Sequence, residues 1–458
     1  MSPDATEIGR LPPAPDTPLS LRERIAAIQV AHSGCETFRD AGGPVTTVRI
    51  APRWMMPPIV VVTSPQGARD VLTATFPAVD RDFPFMTEQQ KLNGGSLLNF
   101  SHKEWVGRRR MLQPVFTTAR IAELNEQMYD IATDAATSWR DGTEIDLDQE
   151  SRRITMRVLG RTIMGFEPGS YTDELVDPLR RISKYIADRG RAPVKPPSWV
   201  PTKERRFAVK FNKVAHDLAA QILHDCRADP QLSAPLVRAM MEARDPETGE
   251  PLTDEDICHE LVIFLASGLE TTATTLAYAL WELGRHPDIY DRVAAEVSAV
   301  DEAALRTSPR SHLPYTVSVI QEALRLGGPT PAVMRIARQD MAIDGFRVEA
   351  GSMLMVGVYA MHRDPQLWDR PLEFDPDRFS AGRSRMQWQF LPFGGGPRSC
   401  MGDHFAMLEA TLALATTIRE LEISSLSEEF PLALPFTMVA EGPIRARVQR
   451  RSTAKTSS

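Results

Sequence analysis

Apolar residues recur at helical spacing through most of the chain. The longest runs predict helices over His102–Phe116, Thr118–Ala136, Tyr171–Asp188, Lys203–Arg227, Asp254–Arg285 and Pro314–Leu326, with a shorter one over Leu21–Gln29. Between Val45 and Thr63 the rhythm changes. There the β-branched runs TTVRI and PIVVV flank an insert rich in proline and methionine, which predicts two strands joined by a turn. Near the other end, PLALPFTMVAEGPIRARVQ alternates apolar and polar residues about Glu441-Gly442-Pro443, the pattern of a closing hairpin. The fold class expected is mainly α (α+β): a helix-rich body with small β-sheets near the N-terminus and the C-terminus.

Proline marks the joints. Pro12, Pro13, Pro15 and Pro18 make residues 1–20 an extended leader lying on the body. The stretch Ala192–Pro201, APVKPPSWVP, is a stiff loop of the kind that covers a pocket. Residues 450–458 form a short polar tail expected to be disordered.

A net charge of −7 argues against a protein coated with nucleic acid. No stretch reaches the roughly 18 consecutive apolar residues that span a bilayer, so no membrane anchor is expected. Cys35, Cys226, Cys258 and Cys400 are far apart and show no C-x-x-C spacing, which fits neither a disulfide framework nor a zinc site. Reduced thiols and a cytoplasmic location follow.

Chemistry concentrates at one of these cysteines. In FLPFGGGPRSCMG, Phe390–Gly402, three glycines and a proline precede Cys400, and a helical pattern follows at once. A sulfur just before a helix N-terminus gains from the dipole and the free N–H groups, which lowers the thiol pKa and favours a metal-binding thiolate. Glycine allows close approach to a flat macrocycle. By itself, a lone cysteine beside a Gly-rich turn is also an ordinary buried residue.

The loop resembles the signature F-x-x-G-x-R-x-C-x-G of the cytochrome P450 family, filled by Phe393, Gly396, Arg398, Cys400 and Gly402. The resemblance implies a single catalytic domain over residues 1–458 and haem b as cofactor, with iron bound by Cys400. It implies that Arg398 meets a haem propionate, that Phe393 packs beside the sulfur, and that Gly402 lets the next helix approach the ring. Trp105 and Arg109, at i,i+4, match the family's W-x-x-x-R, and Arg335 stands where another propionate-binding arginine is found. Glu322 and Arg325 share a helix face, which alone is a common surface ion pair. With Arg378 they resemble the family's structural triad, where loss of one member costs roughly 3–5 kcal/mol.

The helix LVIFLASGLETTATTLAYAL carries Gly268, Glu270, Thr271 and Thr272 in an otherwise apolar run. Its hydroxyls and glycine are expected to weaken the helical ladder and open a groove for dioxygen. The pattern resembles [AG]-G-x-[DE]-T-[TS], in which Glu270 and Thr271 relay protons; Ser267 replaces the usual small residue and is expected to add a polar contact above the iron. By resemblance, Leu97, Leu98, Phe264, Ser267, Thr330, Val333 and Phe436 line the substrate pocket.

The activity implied is a monooxygenase hydroxylating a hydrophobic small molecule, a fatty acid, terpenoid or steroid-like compound. SWVPTKERRF resembles a lid connection in relatives with such substrates. Electrons are expected from a separate ferredoxin and its reductase, docking on a face with Arg108, Arg110 and Arg398, and the chain is expected to be a monomer. Two other readings of the same fold stay open: a peroxide-driven hydroxylase or isomerase, and a haem-thiolate sensor without turnover.

Overall fold

The computed structural model describes residues 5–451, except 31, 170, 193–194, 198, 246–247, 381–387 and 435–436. Helices dominate, as the periodicity predicts. The central one, Asp254–Leu283, starts at a capping box in which Thr253 and Asp256 satisfy each other's backbone N–H groups. By length and composition it could cross a membrane, yet most of it is buried inside the protein. It packs on Leu147–Leu159, Lys203–Ala228, Pro314–Gly327 and Asp403–Glu420, so its apolar surface is spent on protein neighbours.

Several boundaries move for identifiable reasons. Pro114 converts the end of the His102 helix into a 3-10 turn, Gln113–Phe116. The predicted Thr118–Ala136 helix splits into Thr118–Ala122 and Asn125–Ser138. Ser20 caps Leu21–Gln29, and the leader touches the body through bridges Pro13 to Arg347 and Asp16 to Thr47, although Ala5–Arg10 is helical.

Val45–Val48 and Ile59–Val62 pair antiparallel, as expected, with Val45 opposite Val62. The sheet then recruits distant chain: Ile59–Val62 runs parallel to Met353–Val356, which pairs with Val333–Ala337, which in turn pairs with Val79–Asp80. This brings Arg335 and Asp80 together, both buried, at one edge of the sheet. The closing hairpin is not formed as predicted. Val439–Ala440 pairs with Leu432–Ala433, while Arg445–Arg450 pairs with Leu421–Ser425 and Glu144–Asp146, so the flanks of Gly442 belong to different sheets. Of the tail, Arg450 ends that strand, and residues 452–458 lie outside the described residues.

Candidate functional site

The cysteine loop is held by its own backbone. Cys400 N–H donates to Phe393 O at 2.9 Å, Ser399 N–H to Gly396 O at 3.0 Å and Gly394 N–H to Leu391 O at 3.0 Å. Gly396 has φ +70°, and a Cβ there would lie 1.9 Å from Leu72 O, so only glycine fits. The following helix, Asp403–Glu420, begins after Gly402. Nothing lies within 4 Å of a Cβ built on Gly402, so no protein contact demands its small size.

Cys35, Cys226 and Cys258 are buried, whereas Cys400 opens into a cavity of about 1160 Å³. Burial of the sulfur within the protein pushes the Cys400 thiol up, and Asp403 adds to the rise, against a Gly402 N–H bond and the nearby Arg109 that pull it down. The expected lowering at the helix terminus is present, through the Gly402 N–H, but burial outweighs it. A bound cation, not the dipole, is what would hold a thiolate there.

Cations rim the same cavity. Arg398 stacks over Trp105 at 4.4 Å, donates to Phe100 O at 3.2 Å, and keeps Nη2 without a hydrogen-bond partner among the described residues, 3.6 Å from Asp80. Arg335 is buried and donates to Met334 O. Burial pushes both guanidinium groups down to about 10, and Arg398 further disfavours charge on Arg335. Arg81, which no motif marks, joins them: burial and the two arginines push it well below its ordinary value, and its Nε has no partner among the described residues. Arg109 donates to Ser399 O at 2.9 Å. Three crowded arginines beside a cysteine, two of them with orphan N–H groups, form a site for a ligand carrying carboxylates, and the haem propionates fit it.

Glu322 and Arg325 are fully buried, not on the surface. Arg325 makes two 2.7 Å bonds to Glu322 and reaches the carbonyls of His362, Pro371 and Glu373. Arg378 Nε donates to Glu322 at 3.2 Å while its other nitrogens reach Asp369 and Arg370 carbonyls. Glu322, Arg325 and Arg378 thus meet in one buried cluster away from the cavity lining.

On the central helix, Ser267, Gly268, Glu270, Thr271 and Thr272 all line the cavity. The helix stays α-helical through them, so the expected break in the ladder is absent. Thr271 donates to Ser267 O at 2.7 Å, and a Cβ on Gly268 would meet Leu159 at 3.0 Å, which makes this glycine a packing position. Glu270 does not face the cavity freely. Arg180 Nε donates to it at 3.0 Å and also pairs with Asp148 at 3.3 Å. Burial raises the Glu270 carboxyl, and Arg180 opposes that rise.

Leu97, Leu98, Phe264, Thr330 and Val333 line the cavity as expected, and Phe264 stacks on Phe116 at 5.6 Å. Phe436 lies outside the described residues. The helix Pro84–Asn93, which the sequence pattern did not mark, adds Phe85, Met86, Gln89 and Asn93 to the wall. Its Glu88 binds Arg189 at 2.7 Å and Lys195 at 2.8 Å, tying the Pro-rich connection down beside the cavity.

The expected docking face needs correction. Arg108 is buried, 3.2 Å from both Asp256 and Glu260, and the Arg398 side chain is 8% exposed against Trp105. Of the three arginines only Arg110 is exposed.

A family model described as Cytochrome P450 matches residues 14–448. The chain is 33% identical to cyclooctat-9-en-7-ol 5-monooxygenase of Streptomyces melanosporofaciens, over 71% of this chain and 72% of that protein. It is 30% identical to cyclooctatin synthase of the same organism over 82% of each chain. To pentalenene oxygenase of Streptomyces avermitilis it is 27% identical, over 84% of this chain and 85% of that one.

Proposed function

The chain belongs to the cytochrome P450 family and is a haem-dependent monooxygenase, and we propose that it hydroxylates a hydrophobic molecule of terpenoid type, with electrons from a ferredoxin and its reductase. The carrying observation is one cavity that joins the Cys400 sulfur, the orphan arginines and the Thr271 hydroxyl. The relatives named for cyclooctat-9-en-7-ol and pentalenene favour the terpenoid class among those considered.

Haem, when bound, supplies the reduction of dioxygen and the oxidation of the substrate C–H bond. Cys400 Sγ would hold its iron, and Arg81, Arg109, Arg335 and Arg398, with Trp105, would hold its carboxylates. Leu97, Leu98, Phe264 and Val333 present apolar surface that excludes water and orients the substrate skeleton. Thr271 Oγ1 lies at the cavity wall with its proton given to Ser267 O, so it passes a proton into the cavity only on turning from that carbonyl. Glu270 stands next to it on the helix, and its carboxyl exchanges a proton only on leaving Arg180. Peroxide-driven chemistry has no need of such a donor. Arg110 supplies exposed positive charge beside the cysteine loop, where Trp105, Arg110, Pro397 and Ser399 surround a shallow depression.

The test is direct. Purified protein should contain haem, its reduced carbon monoxide adduct should show the thiolate-type band, and NADH oxidation through surrogate ferredoxin and reductase should yield a hydroxylated terpenoid. A preparation lacking that band overturns the reading.

A further inference from the structure

Five cavity-lining residues hold a buried polar atom with no hydrogen-bond partner among the described residues. Arg81 and Arg398 belong to the cationic rim. Glu409 lies on the Asp403–Glu420 helix, where Thr272 bonds to it and burial raises its carboxyl far above the ordinary range. The remaining two are amides, Gln89 Nε2 and Asn93 Oδ1, both on the helix Pro84–Asn93.

Gln89 and Asn93 are four residues apart on the helix Pro84–Asn93 and so share one face. Both side chains belong to residues that are at most 9% exposed. The Asn99 network fixes which Gln89 atom is free, and on Asn93 the atom without a partner among the described residues is Oδ1. Asn99 Oδ1 accepts the Ser96 N–H at 2.9 Å, which turns the Asn99 amide nitrogen towards Gly94 O, 2.9 Å away, and Gln89 Oε1. The Gln89 oxygen is thereby used, and its NH₂ group is left over. The free groups are one donor and, a helical turn away, one acceptor.

Burying such a pair against a purely apolar ligand leaves both unmet, which is unfavourable. A hydroxyl group both donates and accepts and so suits both amides at once. A carboxylate would face the Asn93 oxygen with no donor, and an ammonium would face the Gln89 NH₂ with no acceptor. Resting on the reading that this cavity holds the molecule to be hydroxylated, we propose that Gln89 and Asn93 bind a hydroxyl group already present on that substrate. The hydroxyl anchors the skeleton at one wall, while Thr271 and Cys400 belong to others. The chain then acts after the step that installs the first oxygen.

The experiment uses the haem-loaded full chain and two matched probe pairs, cyclododecane with cyclododecanol and cedrene with cedrol. Dissociation constants come from difference spectra, with imidazole competition for any ligand that is spectrally silent. In at least one pair the alcohol should bind roughly tenfold to a hundredfold tighter than the hydrocarbon. Asn93→Leu should reduce that ratio to about threefold or less and leave the hydrocarbon's affinity equal or improved. Gln89→Leu should do the same; because it also removes a partner of Asn99, Asn93→Leu is the cleaner variant.

Equal affinities within both pairs, or an alcohol preference that survives both substitutions, would overturn the proposal and mean that the amides are met by trapped water. The carbon monoxide band separates the two levels. Its absence removes the underlying reading and this inference with it, whereas its presence without alcohol preference removes only this inference.

Discussion

Replacing Glu260 by glutamine removes a carboxylate that the fold encloses completely. Both of its oxygens accept the Leu97 N–H, at 3.0 and 3.1 Å, so it holds the wall segment that carries Leu97 and Leu98. Arg108 stands 3.2 Å away and is shared with Asp256; His259, with His216 and Glu255 beyond it, completes the charged surroundings. Burial pushes the Glu260 carboxyl from 4.5 up to about 7, against the pull of Arg108 and the Leu97 N–H, while Asp256 adds to the rise.

Between these two values the folded protein binds more protons than the unfolded chain. Stability linked to Glu260 is therefore fully present below pH 4.5 and is lost as pH rises towards 7. The shift corresponds to about 3 kcal/mol. Urea unfolding of the haem-loaded protein, followed by circular dichroism at pH 5 and pH 8, should show the parent losing about 2–3 kcal/mol relative to Glu260→Gln, less than the full shift because pH 5 already lies above the unfolded value. His259, which burial holds below its ordinary value, loses stability as pH falls, but it is common to both proteins and cancels in the difference. Parallel pH profiles for parent and variant would refute the reasoning.

Glu322→Gln leaves Arg325 and Arg378 with uncompensated buried charge and should cost roughly 3–5 kcal/mol, seen as a low haem-to-protein ratio on purification and an earlier unfolding midpoint. Thr271→Ala removes the hydroxyl proton from the cavity wall; NADH consumption should continue while hydroxylated product per NADH falls and peroxide rises, and unchanged coupling would count against Thr271 as the donor. Arg110→Glu should slow reduction by ferredoxin at low ionic strength, with the difference fading as salt is added, and equal rates at low salt would remove Arg110 from the docking face.

The long helices were legible because each buries one continuous apolar stripe. Asp254–Leu283 and Pro314–Gly327 differ from their predicted bounds by two residues or fewer. The cysteine loop was legible for a different reason: Gly396, Arg398 and Cys400 stand at fixed offsets set by a single tight turn. Long-range pairing left no such trace. Nothing local in Val333–Ala337 or Met353–Val356 says that they complete a sheet begun at Val45, nor that Arg445–Arg450 would leave its hairpin for Leu421–Ser425.

What the pattern concealed most was buried polarity. A reading by hydropathy places Arg81, Arg108, Glu88, Gln89 and Asn93 on the surface, because an isolated polar side chain is costly to bury. The fold buries three of them by setting each against a partner from another segment: Arg108 against Glu260, Glu88 against Arg189 and Lys195, Gln89 against Asn99. The helix Pro84–Asn93 escaped detection for this reason, since Glu88, Gln89 and Asn93 face inward where an amphipathic pattern requires apolar residues. The partners are supplied only once the chain has folded, so the cavity's polar lining is a property of tertiary structure. Where a partner is still missing, as at Arg81, Arg398, Gln89 and Asn93, the same cost points to a ligand that provides it.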